Sequence, residues 1–400
     1  MPIKIKVENL YKVFGSQPKK AMKMLGKGLE KDAIHKRTGM TVGVQDASFE
    51  IMTGEIFVIM GLSGSGKSTM VRMLNRLIEP TAGHILIDGQ DVATMSDEDL
   101  VEIRRKKMGM VFQSFALMPH MSVLENAAFG LEMAGIDRET RQERAMVALE
   151  QVGLESYAES RPNELSGGMQ QRVGLARGLA VDPDILLMDE AFSALDPLIR
   201  SEMQDELLKL QTKHKRTIVF ISHDLDEAMR IGDRIAIMEG GRVIQVGTPE
   251  DILQHPANDY VEAFFRGVDP TNFLTAGDIA RKTQVTIIRH PGDGPRAALQ
   301  QLIYYDRNVG YLLDADQKFL GAVSADSLQL AIDSFDAGKD IIKALLGEVR
   351  PVRAKDSMQE ILPEITAAAW PVPVLDYEDR YLGAISKNLF LRTLQRGQND

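Results

Sequence analysis

Gly61-Leu62-Ser63-Gly64-Ser65-Gly66-Lys67-Ser68-Thr69 is the stretch that decides the fold of this chain. It fits the pattern G-x-x-x-x-G-K-[ST], which binds phosphate when it joins a strand to a helix. Residues 54–60 before it are a short, β-branched apolar run typical of a strand, and residues 70–78 after it have the spacing of an amphipathic helix. The flanks therefore predict a strand, a phosphate loop and a helix in that order.

The residue types in this loop suit a nucleoside triphosphate. Glycines let successive backbone N–H groups converge on phosphate oxygens, and the helix N-terminus adds positive partial charge. We expect Lys67 to reach the β- and γ-phosphates and the Ser68 hydroxyl to bind Mg²⁺. The alternative is a Gly/Ser-rich turn without a ligand, which the complete pattern and its two flanks disfavour.

The composition is ordinary for a globular protein of two or three domains, with 400 residues of which 44% are hydrophobic and 26% charged. The net charge of −10 argues against a general nucleic-acid-binding protein, which is usually basic. The absence of cysteine excludes disulfides and thiolate metal sites. The N-terminus has no signal-peptide core, and no apolar run approaches the ~20 residues of a membrane-spanning helix. These features predict a cytoplasmic chain that meets a membrane only through a partner or a surface.

The first half of the chain alternates between strand and helix patterns. Residues 1–15 are predicted to be an edge strand and turn, followed by a Lys-rich helical insertion at about 16–40. That insertion is either a solvated helical segment or a basic face for an acidic partner or lipid headgroups. Residues 96–107 are predicted to be a helix capped by Ser96, and a mostly helical region continues to about residue 160. That region includes a predicted helix over residues 137–152, which stops at Gly153.

From Pro183 onward, strand and helix patterns alternate strictly, which predicts an α/β fold with a largely parallel sheet covered by helices. The composition changes near residues 267–270, where we place the main domain boundary. Beyond it lies an internal repeat, in which residues 313–324 align with 375–386 at a constant offset of 62 positions. Each copy predicts a strand, an acidic turn, and a strand leading into a helix, and the two copies are expected to pack together.

Two carboxylates follow the apolar run at residues 185–188, which fits a central strand buried on both faces. We expect Asp189, at the end of this strand, to hold Mg²⁺ through water. Glu190 is then placed where it orients and deprotonates a water for in-line attack on the γ-phosphate.

Further polar residues lie at helix starts and strand ends. Ser166, Gly167 and Gly168 open a helix, which makes a second N-terminal anion site. Gln113 and His223 each follow a strand, at the edge of an α/β sheet where ligands bind.

This set of motifs resembles the ATP-binding cassette (ABC) ATPases, in family order and over residues 1 to about 265. The resemblance implies that Gly61, Leu62, Ser63, Gly64, Ser65, Gly66, Lys67, Ser68 and Thr69 form the Walker A loop, and that residues 165–170 form the signature motif, with Ser166, Gly167 and Gly168 binding the nucleotide. It also implies that Asp189 is the Walker B aspartate, Glu190 the catalytic glutamate, Gln113 the Q-loop glutamine and a metal ligand, His223 the switch histidine, and residues 193–196, with Asp196, the D-loop. Lys67, Gln113 and His223 are expected to take part in catalysis with Glu190. Met169 departs from the family, in which glutamine is commoner. Phe14 lies where the family has an aromatic residue that stacks on adenine, so a weak preference for ATP over GTP is implied.

The same resemblance implies ATP and Mg²⁺ as ligands and a head-to-tail homodimer with two ATP molecules between the subunits. Ser166 and Gly168 of one subunit then contact the γ-phosphate bound at Lys67 of the other. A two-fold axis would make the two sites equivalent.

A closer resemblance covers nearly the whole chain. The insertion at 16–40 and residues 111–120 look like the ATPase subunit of glycine betaine/proline importers, and the C-terminal repeat looks like its paired cystathionine-β-synthase (CBS) domains. The implied architecture is an ABC ATPase domain at 1–268, with a helical subdomain at about 96–178, followed by an α+β CBS pair at 269–400 (about 272–334 and 335–397). The implied partners are a membrane permease, which contacts the segment after Gln113, and an extracytoplasmic binding protein. The implied location is the cytoplasmic face of the cell membrane.

The CBS pair of that family is associated with regulation by ionic strength or by a nucleotide. Adenosine-binding CBS motifs commonly place an aspartate three residues after a Ser/Thr, where this chain has Ser327 and Leu389. Screening by salt offers a physical mechanism, because the Debye length falls from ~8 Å near physiological salt to ~3 Å at 1 M. Two interpretations of the pair remain. In one, its basic residues face anionic lipid; these are Arg281, Lys282, Arg289, Arg350 and Arg353. In the other, the pair is a dimerising scaffold with a solvated surface.

Two other functional classes remain open on the sequence: a non-transport ABC ATPase of DNA repair or translation, and a ligand sensor with a borrowed ATPase. The first usually carries two cassettes or long coiled coils, which this chain lacks. The transported solute follows only from the family resemblance, because an ATPase subunit does not touch the cargo.

Overall fold

A computed structural model describes residues 2–113, 116–193, 195–265, 274–289, 294–333, 341–347 and 349–395. The chain forms two compact units, Met1–Phe264 and Phe265–Asp400. The boundary predicted near residues 267–270 lies outside the described residues. Within the described residues, no helix is both long enough and apolar enough to cross a membrane.

The first unit contains two sheets and eleven α-helices within its described residues. Its strands are β1 (Ile3–Phe14), β2 (Thr41–Met52), β3 (Ile56–Met60), β4 (Ala82–Ile87), β5 (Gln90–Asp91), β6 (Met108–Val111), β7 (Ile185–Asp189), β8 (Thr217–Ser222), β9 (Arg234–Glu239) and β10 (Arg242–Gly247). Its helices are α1 (Pro18–Leu25), α2 (Lys31–Thr38), α3 (Lys67–Leu74), α4 (Asp97–Lys107), α5 (Val123–Met133), α6 (Arg138–Gln151), α7 (Gly167–Ala180), α8 (Pro197–His214), α9 (Leu225–Ile231), α10 (Pro249–Gln254) and α11 (Asp259–Phe264).

The larger sheet has the order β10-β9-β3-β8-β7-β6 and is parallel except for the antiparallel pair β9–β10. Every residue of β3, β7 and β8 is buried, as expected for central parallel strands covered on both faces. The predicted α/β fold with a largely parallel sheet is therefore confirmed. The carboxyl ends of β3, β7 and β8 meet at one edge, where the phosphate loop begins.

A second, antiparallel sheet has the order β2-β1-β4-β5. Strand β1 pairs with β2 on one side and with β4 on the other, so the predicted edge strand at residues 1–15 is wrong. An alternating pattern states which face of a strand is buried, but it does not state how many neighbours the strand has.

Helices α5, α6 and α7 pack on one another, and each begins at a side-chain cap. The predicted helix over residues 137–152 is confirmed as α6, with Asp137 as its cap. Helix α4 also has its predicted Ser96 cap, but Leu100 and Ile103 join the core of the two sheets. The three-helix group therefore starts at α5, later than the predicted residue 96.

The Lys-rich insertion forms two helices, as its sequence predicts. Ala21 of α1 and Ile34 of α2 pack with Met40 and with the strand residues Val13 and Val42 in a small separate core. Most of its basic side chains are exposed, and Lys31 is half-buried. The insertion thus has its own packing against the hairpin of β1 and β2.

The second unit contains two copies of one small sheet. Its strands are β11 (Val285–Ile288), β12 (Val309–Leu313), β13 (Phe319–Ser324), β14 (Val352–Arg353), β15 (Val372–Leu375) and β16 (Tyr381–Ile385), and its helices are α12 (Ala276–Ile279), α13 (Pro295–Tyr304), α14 (Ala325–Asp333), α15 (Met358–Ala367) and α16 (Lys387–Gln395). The sheet orders are β11-β12-β13 and β14-β15-β16, each with one parallel and one antiparallel pair.

The predicted repeat is confirmed at the level of hydrogen bonds. Asp314 accepts backbone N–H bonds from residues two and four positions further on, and Asp376 does the same. The two acidic turns pair with each other, because Phe319 N–H donates to the Asp379 carbonyl at 2.9 Å and Tyr381 N–H donates to the Gln317 carbonyl at 3.0 Å. Strands β12, β13, β15 and β16 share one apolar core, so the two copies pack together as expected.

A cleft of about 540 Å³ lies in the second copy of the repeat. Arg350, Glu364 and Trp370 are among its lining residues. Trp370 is the only tryptophan of the sequence, and its side chain is 40% exposed.

Candidate functional site

The loop between β3 and α3 has a backbone that only glycine accommodates at two positions. Gly61 has φ +149°, and a Cβ atom there would lie 2.2 Å from the Met238 carbonyl oxygen. Gly66 has φ +103°, and a Cβ atom there would lie 2.4 Å from the Gly43 carbonyl oxygen. These close approaches fix the loop against β9 and β2. The helix that follows runs from Lys67 to Leu74, so it starts three residues and ends four residues earlier than the sequence pattern predicts. Arg76, with φ +52°, lies just beyond its end.

The Lys67 ammonium lies inside the loop. Its Nζ donates to the Gly61 carbonyl at 2.8 Å and to the Leu62 carbonyl at 3.2 Å, and the residue is only 5% exposed. Burial lowers the pKa of Lys67, and the charges of Glu190 and Asp189 oppose that shift. A buried cation held this way adds charge stabilisation to a bound polyphosphate without first losing a full hydration shell.

Two observations show that the loop suits a phosphate. The Ser65 Oγ atom is buried and has no hydrogen-bond partner within the described part of the chain. Gly64 has φ +78° and open space around its Cα, so ligand atoms can approach the backbone there. Free polar atoms and an uncovered backbone at the start of a helix are what an anion site requires.

Asp189 ends β7 and is 3% exposed. Its Oδ2 atom accepts from Nε of Arg72 at 3.2 Å and lies 3.0 Å from Arg72 Nη2. Neither contact uses Oδ1. Arg72 lies on α3, the helix that starts at the loop, so this ion pair joins the loop helix to the end of the central strand.

The oxygen donors Ser68, Asp189 and Gln113 fit Mg²⁺, which prefers hydroxyl, carboxylate and carbonyl oxygens. No group of three His, Cys, Asp or Glu residues able to hold a metal exists among the residues that the structure describes. Sparse protein ligation is the usual arrangement for Mg²⁺, which keeps several waters and binds substrate phosphates in addition. The residues present therefore fit a Mg²⁺ ion that arrives with a nucleotide.

The structure brings Glu190, His223 and Gln113 close to one another. The His223 Nδ1 and Glu190 Oε2 atoms are 3.9 Å apart. Gln113 donates through Nε2 to Ser193 Oγ at 3.3 Å, and Ser193 Oγ donates to the Glu190 carbonyl at 2.9 Å. Glu190 has φ +49°, an uncommon conformation for a non-glycine residue. Such backbone is tolerated where surrounding contacts hold it, and functional sites are where it clusters.

Phe14 lies at the end of β1, and its ring is 39% exposed. A Cβ atom on Gly43 would meet this ring at 2.8 Å and the Thr69 side chain at 3.6 Å, so the ring is beside the start of α3. Lys12 Nζ lies 5.1 Å from the ring centroid. An exposed aromatic ring next to a phosphate loop offers a stacking surface for a nucleobase.

Ser166 caps α7 by accepting from Met169 N–H at 3.3 Å, and Asp196 caps α8 by accepting from Ile199 N–H at 3.1 Å. A Cβ atom on Gly168 would lie 2.6 Å from Ile199 Cγ2, so the starts of α7 and α8 are in contact. In the described parts of the chain, no hydrogen bond joins Ser166, Gly167 or Gly168 to the phosphate loop of the same chain. Of residues 193–196, Ala194 lies outside the described residues.

Sequence reasoning did not select Arg72 or Gly43. Arg72 is five positions after Lys67 on a helix that was predicted as a whole, and its charge was the only available signal. Gly43 lies inside a strand, where an isolated glycine suggests a close approach of other atoms. That signal was present in the sequence.

Comparisons with known proteins agree with this geometry. A family model described as ABC transporter matches residues 44–193. The chain is 61% identical to the glycine betaine/proline betaine transport system ATP-binding protein ProV of Escherichia coli K12, over 99% of this chain and 98% of the relative. It is 51% identical to the glycine betaine transport ATP-binding protein OpuAA of Bacillus subtilis, over 100% of this chain and 94% of the relative.

Solved structures of the ABC transporter cassette MJ0796 are also similar. The chain matches its dimeric structure with a TM-score of 0.52 and 34% identity, over 61% of this chain and 98% of the cassette. A second structure of that cassette is a dimeric post-hydrolysis state bound to ADP and phosphate, with the same TM-score of 0.52.

Proposed function

The chain belongs to the ATP-binding proteins of ABC transporters, among those of the glycine betaine systems, and from this premise we propose that it hydrolyses ATP to drive import of a glycine betaine- or proline betaine-type osmoprotectant. The observation that carries the proposal is the meeting of four groups at one sheet edge. They are the phosphate loop after β3, the Asp189–Glu190 pair after β7, His223 after β8, and Gln113 after β6.

ATP binding starts with the loop. Backbone N–H groups of residues 61–69 and the Lys67 ammonium hold the β- and γ-phosphates, and the ring of Phe14 stacks on the adenine. Ser68, Asp189 and Gln113 are the residues that would hold Mg²⁺. When bound, the ion supplies positive charge that stabilises the phosphate oxygens as the γ-phosphoryl group leaves.

Hydrolysis uses Glu190 and His223. Glu190 accepts a proton from the attacking water as the water oxygen bonds to the γ-phosphorus. The bond from the γ-phosphorus to the bridging oxygen breaks, giving ADP and inorganic phosphate. His223, 3.9 Å from Glu190, donates a hydrogen bond to the γ-phosphate oxygens and so orients the group under attack.

We infer that two copies of the chain form a head-to-tail homodimer with ATP between them. Ser166 and Gly168 lie at the start of α7 without hydrogen bonds to the phosphate loop of their own chain among the described residues, so they are available to the γ-phosphate held by another copy. Asp196 starts the neighbouring helix α8. The similarity to a dimeric cassette supports this arrangement.

The remaining partners follow from the proposed role. We infer that the chain binds membrane permease subunits through the segment after Gln113, at the cytoplasmic face of the membrane, and acts with an extracytoplasmic binding protein. This role does not involve nucleic acid. We infer that the second unit is a CBS pair, supported by its two three-stranded sheets of matching order, and that it regulates transport. Ser327 and Leu389 disfavour adenosine binding there. We infer a response to ionic strength instead, in which basic residues contact anionic lipid and salt screens that contact.

The test is ATP-dependent uptake of labelled glycine betaine in cells whose only copy of this subunit is wild type, Glu190→Gln, or Glu98→Gln. Glu98 is an exposed residue of α4, so the same chemical change there is a matched control. We expect wild type and Glu98→Gln to take up betaine, more strongly at higher osmolarity, and Glu190→Gln to take up none. Equal uptake in all three strains would refute import of an osmoprotectant by this subunit. Loss of uptake in Glu98→Gln would show that the loss in Glu190→Gln is not specific to Glu190.

A further inference from the structure

Helix α9 carries a buried carboxylate that the hydrolysis step does not use. Glu227 is 6% exposed, although glutamate is rarely buried without partners. Burial raises the pKa of Glu227, and hydrogen bonds from Ser222 and Gln204 oppose that shift. A group of this kind needs an explanation, because leaving a carboxylate in the interior is unfavourable unless both oxygens are satisfied.

Each oxygen of Glu227 has its own partner. Ser222 Oγ donates to Oε2 at 2.5 Å, and Gln204 Nε2 donates to Oε1 at 3.1 Å. Ser222 is the last residue of β8 and directly precedes His223. The Ser222 hydroxyl also accepts from Asp224 N–H at 2.9 Å, so it fixes the backbone on both sides of His223.

Gln204 belongs to α8, the helix that begins at Asp196. Its own oxygen accepts from Arg230 Nη1 of α9 at 3.0 Å, which sets the direction of the amide. Near the start of the same helix, Arg200 Nη1 donates to Asp224 Oδ2 at 2.8 Å. Helices α8 and α9 are therefore joined by polar contacts at both places, and the second contact uses Asp224, the residue that directly follows His223.

We propose that Glu227 is a positioning residue, which holds His223 relative to Glu190 by connecting Ser222 to Gln204 of α8. This inference rests on the proposed ATPase function. A single carboxylate offers one oxygen to each of two different elements, which an apolar side chain at this position would not do. Movement of α8 would then reach His223 through Gln204, Glu227 and Ser222, and the D-loop end of α8 would be linked to the histidine.

The contact between Gln204 and Glu227 can be tested by exchanging the two side chains. In Glu227→Gln, the side chain keeps only one acceptor oxygen in place of two. If that oxygen stays on Ser222, two amide nitrogens oppose each other at Gln204; if it turns to Gln204, Ser222 Oγ becomes an acceptor and donates only to the Asp224 carbonyl. In Gln204→Glu, two carboxylates face each other. The double variant Gln204→Glu/Glu227→Gln restores one donor and one acceptor, and the carboxylate introduced on α8 still accepts from Arg230. Volume and shape hardly change in any of the three.

The measurement uses the purified full-length protein and follows the kcat and KM of ATP hydrolysis together with the midpoint of thermal unfolding. We expect each single variant to lower kcat about 5- to 50-fold with little change in KM, because a small displacement of a catalytic group has effects of this order. We expect the double variant to recover kcat to within about 2-fold of wild type. Glu206→Gln, which breaks the ion pair with Lys209 within α8, is the control and should keep wild-type kcat.

Single variants with wild-type kcat would overturn the proposal. A parallel fall of kcat and of the unfolding midpoint that the double variant does not restore would also overturn it, because Glu227 would then serve folding alone. Absence of ATP hydrolysis in the wild-type protein would refute the proposed function instead, so the two failures are distinguishable.

Discussion

Arg72 and Asp189 form an ion pair between the helix that leaves the phosphate loop and the last residue of the central strand β7. Both contacts, Nε at 3.2 Å and Nη2 at 3.0 Å, fall on the same carboxylate oxygen, Oδ2. The carboxylate is held by one oxygen while the other stays outside the pair. In the proposed site, where Asp189 would accept hydrogen bonds from metal-bound water, the pair keeps the carboxylate in a fixed orientation.

Removal of this pair should weaken both the fold and metal-dependent binding. We expect Arg72→Met to lower the free energy of unfolding by about 2 kcal/mol, because a nearly buried carboxylate loses its charged donor. We also expect it to raise the Mg²⁺ concentration at half-maximal ATP binding. Urea unfolding and ATP titrations at several Mg²⁺ concentrations measure the two effects. Lys106→Met, which removes a charge from an exposed pair with Glu102, should change neither.

The proposed role of Glu190 as the general base is tested by replacing one of its carboxylate oxygens with an amide nitrogen. Glu190→Gln should keep ATP affinity within about 3-fold and lower the hydrolysis rate about 10²- to 10⁴-fold, because the amide does not accept the proton of water. Calorimetry gives the affinity, and phosphate release gives the rate. A variant that hydrolyses ATP at close to the wild-type rate would assign the base to another residue.

Two glycines of the loop allow the cost of a positive φ to be measured separately from the cost of a steric clash. Gly64 and Gly66 both have positive φ, but a Cβ atom meets nothing within 4 Å at Gly64 and lies 2.4 Å from the Gly43 carbonyl at Gly66. Gly64→Ala should therefore destabilise the fold by about 1 kcal/mol, and Gly66→Ala by about 2 kcal/mol more. Thermal unfolding of the two variants side by side measures the difference. Equal destabilisation would show that the contact with β2 relaxes freely.

The aromatic ring of Phe14 should contribute to base binding but not to phosphate binding. Phe14→Ala is expected to weaken ATP binding about 10- to 100-fold, the usual effect of losing one stacked ring. Affinity for inorganic tripolyphosphate should stay within about 2-fold, and Phe14→Tyr should restore ATP affinity. Equal losses of affinity for ATP and tripolyphosphate would show that the ring stabilises the fold of the loop and does not bind the base.

A pH-dependent contribution to stability is expected from Asp88, which contacts Lys4 and Lys107. Burial opposes ionisation of this carboxyl, but hydrogen bonds from Lys107 and Lys4 outweigh burial and hold its pKa below the usual 3.8. The unfolded chain therefore takes up the proton first as the pH falls, and the stabilisation, about 1 kcal/mol, is present above pH 3.8 and lost below it. The urea midpoints of wild type and Asp88→Asn should differ at pH 7 and converge toward pH 3. A constant difference would exclude ionisation as its cause.

The sequence predicts the elements that depend on local pattern. The phosphate loop, the buried strand before Asp189, the Ser96 cap and the helix over residues 137–152 all follow from turn chemistry, periodicity and capping. The repeat in the second unit was visible because both copies keep the same acidic turn and the same serine cap after the second strand, Ser324 and Ser386.

Features that depend on pairing over long sequence distances were not predictable in this way. The position of β1 between β2 and β4 is set by hydrogen bonds to strands far along the chain. The Arg72–Asp189 pair spans 117 positions, and no local pattern marks either partner for the other. Assigning α4 to the sheet core also requires the packing of Leu100 and Ile103, since periodicity gives the buried face of a helix but not its neighbour.

The single tryptophan makes the chain its own optical reporter. Trp370 lies in the second unit, at the cleft beside Arg350, whereas the residues of the nucleotide site all belong to the first unit. Intrinsic tryptophan emission therefore comes from one unit only, with no background from the other. A shift in that emission when ATP is added would show that nucleotide binding in the first unit changes the surroundings of Trp370 in the second. The measurement needs only the unmodified protein and no attached dye.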